Sequence, residues 1–133
     1  MSHNITLSGV KFNDMNLLGN IVQQLSNGSA MLDMQAKNFR TYAGQPTGCD
    51  AAIKMAGRHD IGLKNENGAY VPVFDPYDMA DTFMCKDSRQ PIGALTREYT
   101  LQQAEYEAAQ NGMTTNRIPG KNGVVTLEVL DNS

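Results

Sequence analysis

The chain has 133 residues, of which 41% are hydrophobic and 19% charged, with a net charge of −3 at neutral pH. That length suits one domain with a real core, the apolar share excludes a disordered chain, and the weak acidic balance removes any general pull toward nucleic acid or an anionic membrane. No apolar run is long enough to span a bilayer, residues 1–12 carry no basic leader, and Cys49 and Cys85 are the only thiols. These features predict a cytoplasmic setting with both cysteines reduced.

The chain is punctuated by Asn-Gly dipeptides at 27–28, 67–68, 111–112 and 122–123, which favour positive φ and mark helix ends and tight hairpins. Residues 5–12 alternate Ile5 and Leu7 against Thr6 and Ser8, predicting a first strand. Asn13 or Asp14 can cap a helix, and Leu18, Ile21, Val22 and Leu25 form one buried stripe before Asn27-Gly28 stops it. Ala30, Leu32, Met34 and Ala36 alternate with Asp33, Gln35 and Lys37, predicting a half-buried strand. A loop at 41–47 leads to Ala51, Ile53 and Met55, a further alternating strand. Ile61–Leu63 and Tyr70–Phe74 read as a hairpin across Asn67-Gly68, with Pro72 placing the second strand at an edge or a bulge.

Residues 75–91 read as an irregular acidic excursion. Beyond it, 92–110 predicts a longer helix with Ile92, Leu95, Tyr99 and Tyr106 on one face, closed by Asn111-Gly112. Residues 114–118 and 124–130 then form a closing hairpin with Val125, Leu127 and Val129 facing in. The expected fold class is α+β: one domain over residues 1–133 with a single, mainly antiparallel sheet in the order β-α-β-β-β-β-α-β-β. Two helices with one apolar stripe each pack on the same face, leaving the other face polar and open.

Chemistry is less legible. His3, His59, Cys49 and Cys85 are scattered rather than set at metal-ligand spacing, so no metal site is expected. Asp75, Asp78 and Asp81 lack the alternating oxygens and central glycine of a calcium loop and read as a capped, solvated helix start. His59 and Asp60 are adjacent and point to opposite faces of a strand, so they form no catalytic dyad. No phosphate-binding glycine pattern and no nucleophile elbow occur. The sequence therefore predicts no catalytic residues and no cofactor, and it favours a binding protein over an enzyme while leaving the enzyme question open. Its richest loop runs from Arg40 through Tyr42 and Gly44 to Gln45: a guanidinium, a phenol, a glycine turn and an amide able to meet an anion or a planar group. Lys54, Arg58 and Asp60 complete the candidate contact set. Charge is uneven, with Lys37, Arg40, Lys54, Arg58 and Lys64 against Asp50 and Asp60, net +3 over residues 36–64, followed by −4 over residues 65–85.

Several of these residues carry a family likeness. Met1-Ser2-His3, the run Asn38-Phe-Arg40-Thr-Tyr42-Ala-Gly44-Gln45, then His59-Asp60-Ile61-Gly62-Leu63 and Tyr70 resemble the conserved reading-frame family of plastid and cyanobacterial genomes, catalogued as domain of unknown function twelve fifty-seven. Arg97-Glu-Tyr99-Thr and Glu107-Ala-Ala109-Gln-Asn-Gly112 look like that family's last helix and its glycine stop. Residues 75–93 are longer and more acidic than the family's pattern, and His59 stands where an aromatic is often found. The family has no established activity to transfer. Its phage members suggest a phage-encoded adaptor meeting a host factor in the host cytoplasm. The expected function is thus a small non-enzymatic binding protein that takes a protein partner rather than nucleic acid or membrane. The alternatives are a pocket that sequesters or hydrolyses a small anionic ligand such as a nucleotide, and a structural homo-oligomer.

Overall fold

The computed structural model describes residues 5–6, 11–41, 46–57, 59–74, 92–121 and 125–131. In chain order they form β1 (Ile5–Thr6), α1 (Met15–Ser26), β2 (Met31–Asp33), β3 (Asn38–Phe39), β4 (Thr47–Gly48), β5 (Ala51–Lys54), β6 (Ile61–Glu66), β7 (Ala69–Phe74), α2 (Gly93–Gln110), β8 (Met113–Pro119) and β9 (Val125–Asp131). The α+β class and the antiparallel pairing agree with the sequence reading. The sheet is not single, however. Five strands in the order β1-β7-β6-β5-β2 form the main sheet, while β3-β4 and β8-β9 are separate two-stranded ladders. The short β3 and β4 are the elements added to the expected order. The predicted excursion at 75–91 lies outside the described residues.

Helix α1 begins where expected. The Asp14 carboxylate accepts from the Leu17 amide at 3.0 Å, the N-cap bond that satisfies an orphan helix donor. It stops at Asn27, in the left-handed region at φ 53°, with Gly28 at φ 84° donating back to the Gln23 carbonyl. Its stripe of Leu18, Ile21 and Val22 is fully buried against Ile53, Ile61, Leu63 and Phe74 of the sheet and Ile92, Leu95 and Tyr99 from the start of α2. Both helices therefore cover one face. A tyrosine ties them together: the Tyr99 hydroxyl accepts from the Asn13 and Asp14 amides at 3.0 and 2.9 Å, and its ring meets Phe12 edge-on at 4.9 Å.

One expectation for α2 fails. Tyr106 shares an angular position with Tyr99 but is 64% exposed. The 18-residue α2 is about 27 Å long and the 12-residue α1 about 18 Å at 1.5 Å per residue, so α2 extends beyond the length of α1. Side-chain links between the helices occur at Gln102–Gln24 and Gln103–Asn13, one turn before Tyr106.

The ladder between the first strand and β7 pairs Ile5 with Phe74 and Thr6 with Val73, and resumes at Phe12–Tyr70.

The larger difference concerns the second face of the sheet. The 30–37 segment does not continue as a strand. Asp33 ends β2 by accepting from the Gln35 amide at 2.9 Å, a local turn of the kind Asp favours. The chain then passes over the sheet edge. Ala30 belongs to the helix-side core and Leu32 packs against it, whereas Ala36 joins Phe39, Cys49, Ala52 and Val73 in a second cluster on the far side. Phe39 of the β3–β4 ladder lies on Gly62, so closely that a Cβ there would stand 2.4 Å from the ring. The far face is therefore closed at Ala52, Gly62 and Val73, and the expectation of an open face does not hold there. The small residues at 52 and 62 are what admit the ring.

Candidate functional site

Of the residues proposed from sequence, Arg40, Lys54 and Asp60 come together where β3 ends and β6 begins. Tyr42, Gly44, Gln45 and Arg58 lie outside the described residues. The Asp60 side chain is fully buried and the Arg40 side chain half-exposed. Asp60 Oδ1 accepts from Arg40 Nη2 at 2.7 Å and from the Met55 amide at 2.9 Å, and Oδ2 accepts from Arg40 Nε and from the Arg40 amide, each at 3.0 Å. The Asp60 amide in turn donates to the Arg40 carbonyl at 3.0 Å. Lys54 Nζ stands 3.8 Å from Oδ2 and donates to the Asn38 carbonyl at 3.0 Å.

This is a two-pronged guanidinium–carboxylate pair reinforced by main-chain amides, the strong form of charged hydrogen bond. Burial pushes the Asp60 carboxyl up, but the hydrogen bonds from Arg40 and from the Met55 and Arg40 amides outweigh it and hold it below the usual carboxylate range. The bond to Asp60 raises the Arg40 guanidinium, against the lowering effect of burial. The pair fastens β3 to the main sheet. The Arg40 charge is matched by Asp60 from within the chain, and Lys54 leaves the three-residue cluster at +1.

A second feature is an open groove of about 280 Å³ between α1 and β2, lined among others by Met15, Gly19, Gln23, Met31, Leu32 and Met34. None of its lining residues is basic, and it lies at the small end for ligand sites. It does not suit the anionic ligand expected from Arg40, Lys54 and Arg58. Cys49 is buried, and burial pushes its thiol up, away from the reactive thiolate.

The third feature is the predicted closing hairpin, whose docking on α2 escaped the sequence reading. β8 and β9 pair without a break from Met113–Asp131 to Pro119–Val125, forming a ribbon apart from the main sheet. Gly112, at φ 74°, turns the chain out of α2. One side of the ribbon carries Thr115, Arg117, Val125, Leu127 and Val129, and the other carries Thr114, Asn116, Ile118, Glu128 and Leu130. Arg117 docks the first side on α2, with Nη1 donating to Glu98 Oε1 at 2.8 Å, Nη2 to Glu105 Oε1 at 2.8 Å and Nε to Glu105 Oε2 at 3.0 Å. Glu98 and Glu105 are two turns apart and so share a helix face. The Glu105 bonds raise the Arg117 guanidinium, with burial opposing and Glu98 adding to the rise. Burial raises the Glu98 carboxyl, but bonds from Arg117 and Gln102 more than reverse it and hold it low.

The docking includes an ionic clamp that the expected hairpin lacked. Of the three residues expected to face in, Val125 and Leu127 are half-buried but Val129 is 50% exposed, and on the other side Leu130 and Ile118 are 48% and 44% exposed. Arg117→Gln is expected to cost about 1–2 kcal/mol, the scale of a partly solvated, two-partner ion pair. Residue-resolved amide exchange should quicken in β8 and β9 and stay unchanged in α1 and β5–β7. Because Glu98 is held below its unfolded value, its share of this stability is present above about pH 4.3 and declines as the pH falls through the folded value.

No helix among the described residues is long and apolar enough to cross a membrane. Comparison of the chain with protein-family models, with curated proteins and with solved structures yields no match.

Proposed function

We propose that this chain is a small non-enzymatic binding protein, an adaptor that meets a protein partner through the β8–β9 ribbon and the adjoining end of α2. The observation that carries this reading is the ribbon's outward side, where Ile118 and Leu130 stand 44% and 48% exposed, with Val129 50% exposed on its other side. Clustered apolar exposure marks interaction surfaces, whereas scattered exposure does not. The Arg40–Asp60 cluster, foremost in the sequence reading, is committed to internal structure. The residue likeness quoted above supports a phage-encoded protein acting on a host factor in the cytoplasm.

The outward side of the ribbon is the part offered to the partner. Affinity capture from host extract should recover a partner with the wild-type chain and lose it with Ile118→Lys/Leu130→Lys, while Lys54→Ala retains it. Recovery of the same partner by the ribbon double variant would remove this reading.

A further inference from the structure

We infer that Asn67, at the tip of the β6–β7 hairpin, is a site of spontaneous covalent modification. It converts through a cyclic imide to aspartyl and isoaspartyl forms, whereas the Asn-Gly pairs that close the two helices are held intact.

The reaction needs two groups that are neighbours in every Asn-Gly pair. The glycine amide nitrogen, having given its proton to solvent, attacks the asparagine Cγ. An N–Cγ bond forms, the Cγ–Nδ2 bond breaks, and the side-chain nitrogen takes a proton from solvent and leaves as ammonia. Water then opens the imide at either carbonyl, giving aspartate or its isoaspartyl isomer with no change of oxidation state. Glycine has no Cβ to shield its nitrogen. The local sequence therefore permits the step at 27–28, 67–68 and 111–112 alike, and the fold decides which glycine nitrogen is available. The fourth pair, at 122–123, lies outside the described residues.

At the end of α1 the Gly28 amide donates to the Gln23 carbonyl at 3.0 Å. The chain is also pinned beyond it: the carbonyl of buried Ser26 accepts from the Ser29 amide at 3.1 Å, and the Ser26 hydroxyl accepts from the Ala30 amide at 3.0 Å. At the end of α2 the Gly112 amide donates to the Ala109 carbonyl at 3.1 Å. There the leaving group itself is bound, since Asn111 Nδ2 donates to the Glu107 carbonyl at 2.9 Å.

Asn67 differs on both counts. It is half of a two-residue loop closed by the Glu66–Ala69 pair, with φ 56° at Asn67 and 91° at Gly68, and residues 65–68 are all exposed. Its side-chain amide makes no hydrogen bond to any described residue. The Gly68 amide is held by a side chain, donating to Asn65 Oδ1 at 2.9 Å. Asn65 is thus the latch on the attacking nitrogen, and an exposed side-chain bond competes with water and opens readily. The isoaspartyl product would add a carbon to the main chain of a loop whose length sets the register of β6 with β7. Either product adds a negative charge beside Glu66.

Wild-type protein aged in mildly alkaline buffer, then digested and mapped so that aspartyl and isoaspartyl peptides separate, tests this. Conversion at residue 67 should run roughly tenfold or more ahead of residues 27 and 111, a ratio set by the ease of local opening. In urea the three rates should converge to within about twofold, because the fold no longer separates them. Asn65→Ala should speed conversion at residue 67 by roughly two- to tenfold, the factor one hydrogen bond carries, and leave residues 27 and 111 unchanged. Native conversion at 67 no faster than at 27 and 111, the same ranking persisting in urea, or an Asn65→Ala rate equal to wild type would each overturn the inference.

Discussion

Asp60→Ala is expected to be among the most damaging single substitutions, lowering stability by about 3–5 kcal/mol, the scale of breaking a buried ion pair from one side. It removes the acceptor for the Met55 and Arg40 amides as well as the guanidinium's partner. Buried amides left without acceptors cost about 1–3 kcal/mol each. Arg40→Ala should cost less, because Arg40 is half-exposed and Asp60 would keep both main-chain donors. Urea denaturation of both variants tests this order, and a loss for Asp60→Ala under about 0.5 kcal/mol, typical of an ordinary surface change, would contradict it. The acid limb follows from the same geometry. A carboxyl held below its unfolded value binds fewer protons when folded, so its stabilisation is complete above about pH 3.9. It is lost as the pH falls toward the folded value. Asp60→Asn should therefore flatten the stability profile below about pH 4, the ordinary range for aspartate.

Gly62→Ala should cost about 1–3 kcal/mol by overpacking. The added methyl would lie 2.4 Å from Phe39 Cε1 and 2.5 Å from Cδ1, and the ring is too deeply buried to swing away without vacating its layer. Phe39→Ala opens that layer and should cost about 3–5 kcal/mol. The informative variant is the pair. With the ring gone the methyl has room, so Gly62→Ala/Phe39→Ala should be no worse than Phe39→Ala alone. Contacting residues are coupled in this way, and distant ones add. Additive losses in denaturant titrations would mean that Phe39 does not rest on Gly62.

The helix-side core was legible because one signal governed each part of it. Leu18, Ile21 and Val22 at helical spacing and Ile53, Ile61 and Leu63 at strand spacing all point to one cluster. The far face was misjudged because polar alternates were expected there. Ala52, Gly62 and Val73 are instead small or apolar, and two small residues in register are the mark of a close neighbour. The crossing at Asp33–Gln35 was hidden because Met34 and Ala36 continue the alternation of β2 by spacing alone. In the candidate site, Arg40, Lys54 and Asp60 come together as partners of one another, which the sequence reading did not foresee. Twenty residues of chain separate Arg40 from Asp60, and charge counting cannot show that one neutralises the other. The ribbon was read as a hairpin with one buried side. Its alternation is real, but Arg117 stands in the row with Leu127 and Val129, and a guanidinium among apolar neighbours signals ionic docking against Glu98 and Glu105.

The central claim is that the far face of the sheet is closed and the ribbon is the open surface. Methyl NMR of dilute wild-type protein with a soluble paramagnetic agent addresses it directly. The Ala52 and Val73 methyls should stay sharp while those of Ile118, Val129 and Leu130 broaden. Strong broadening at Ala52 and Val73, with the ribbon methyls shielded, would contradict it.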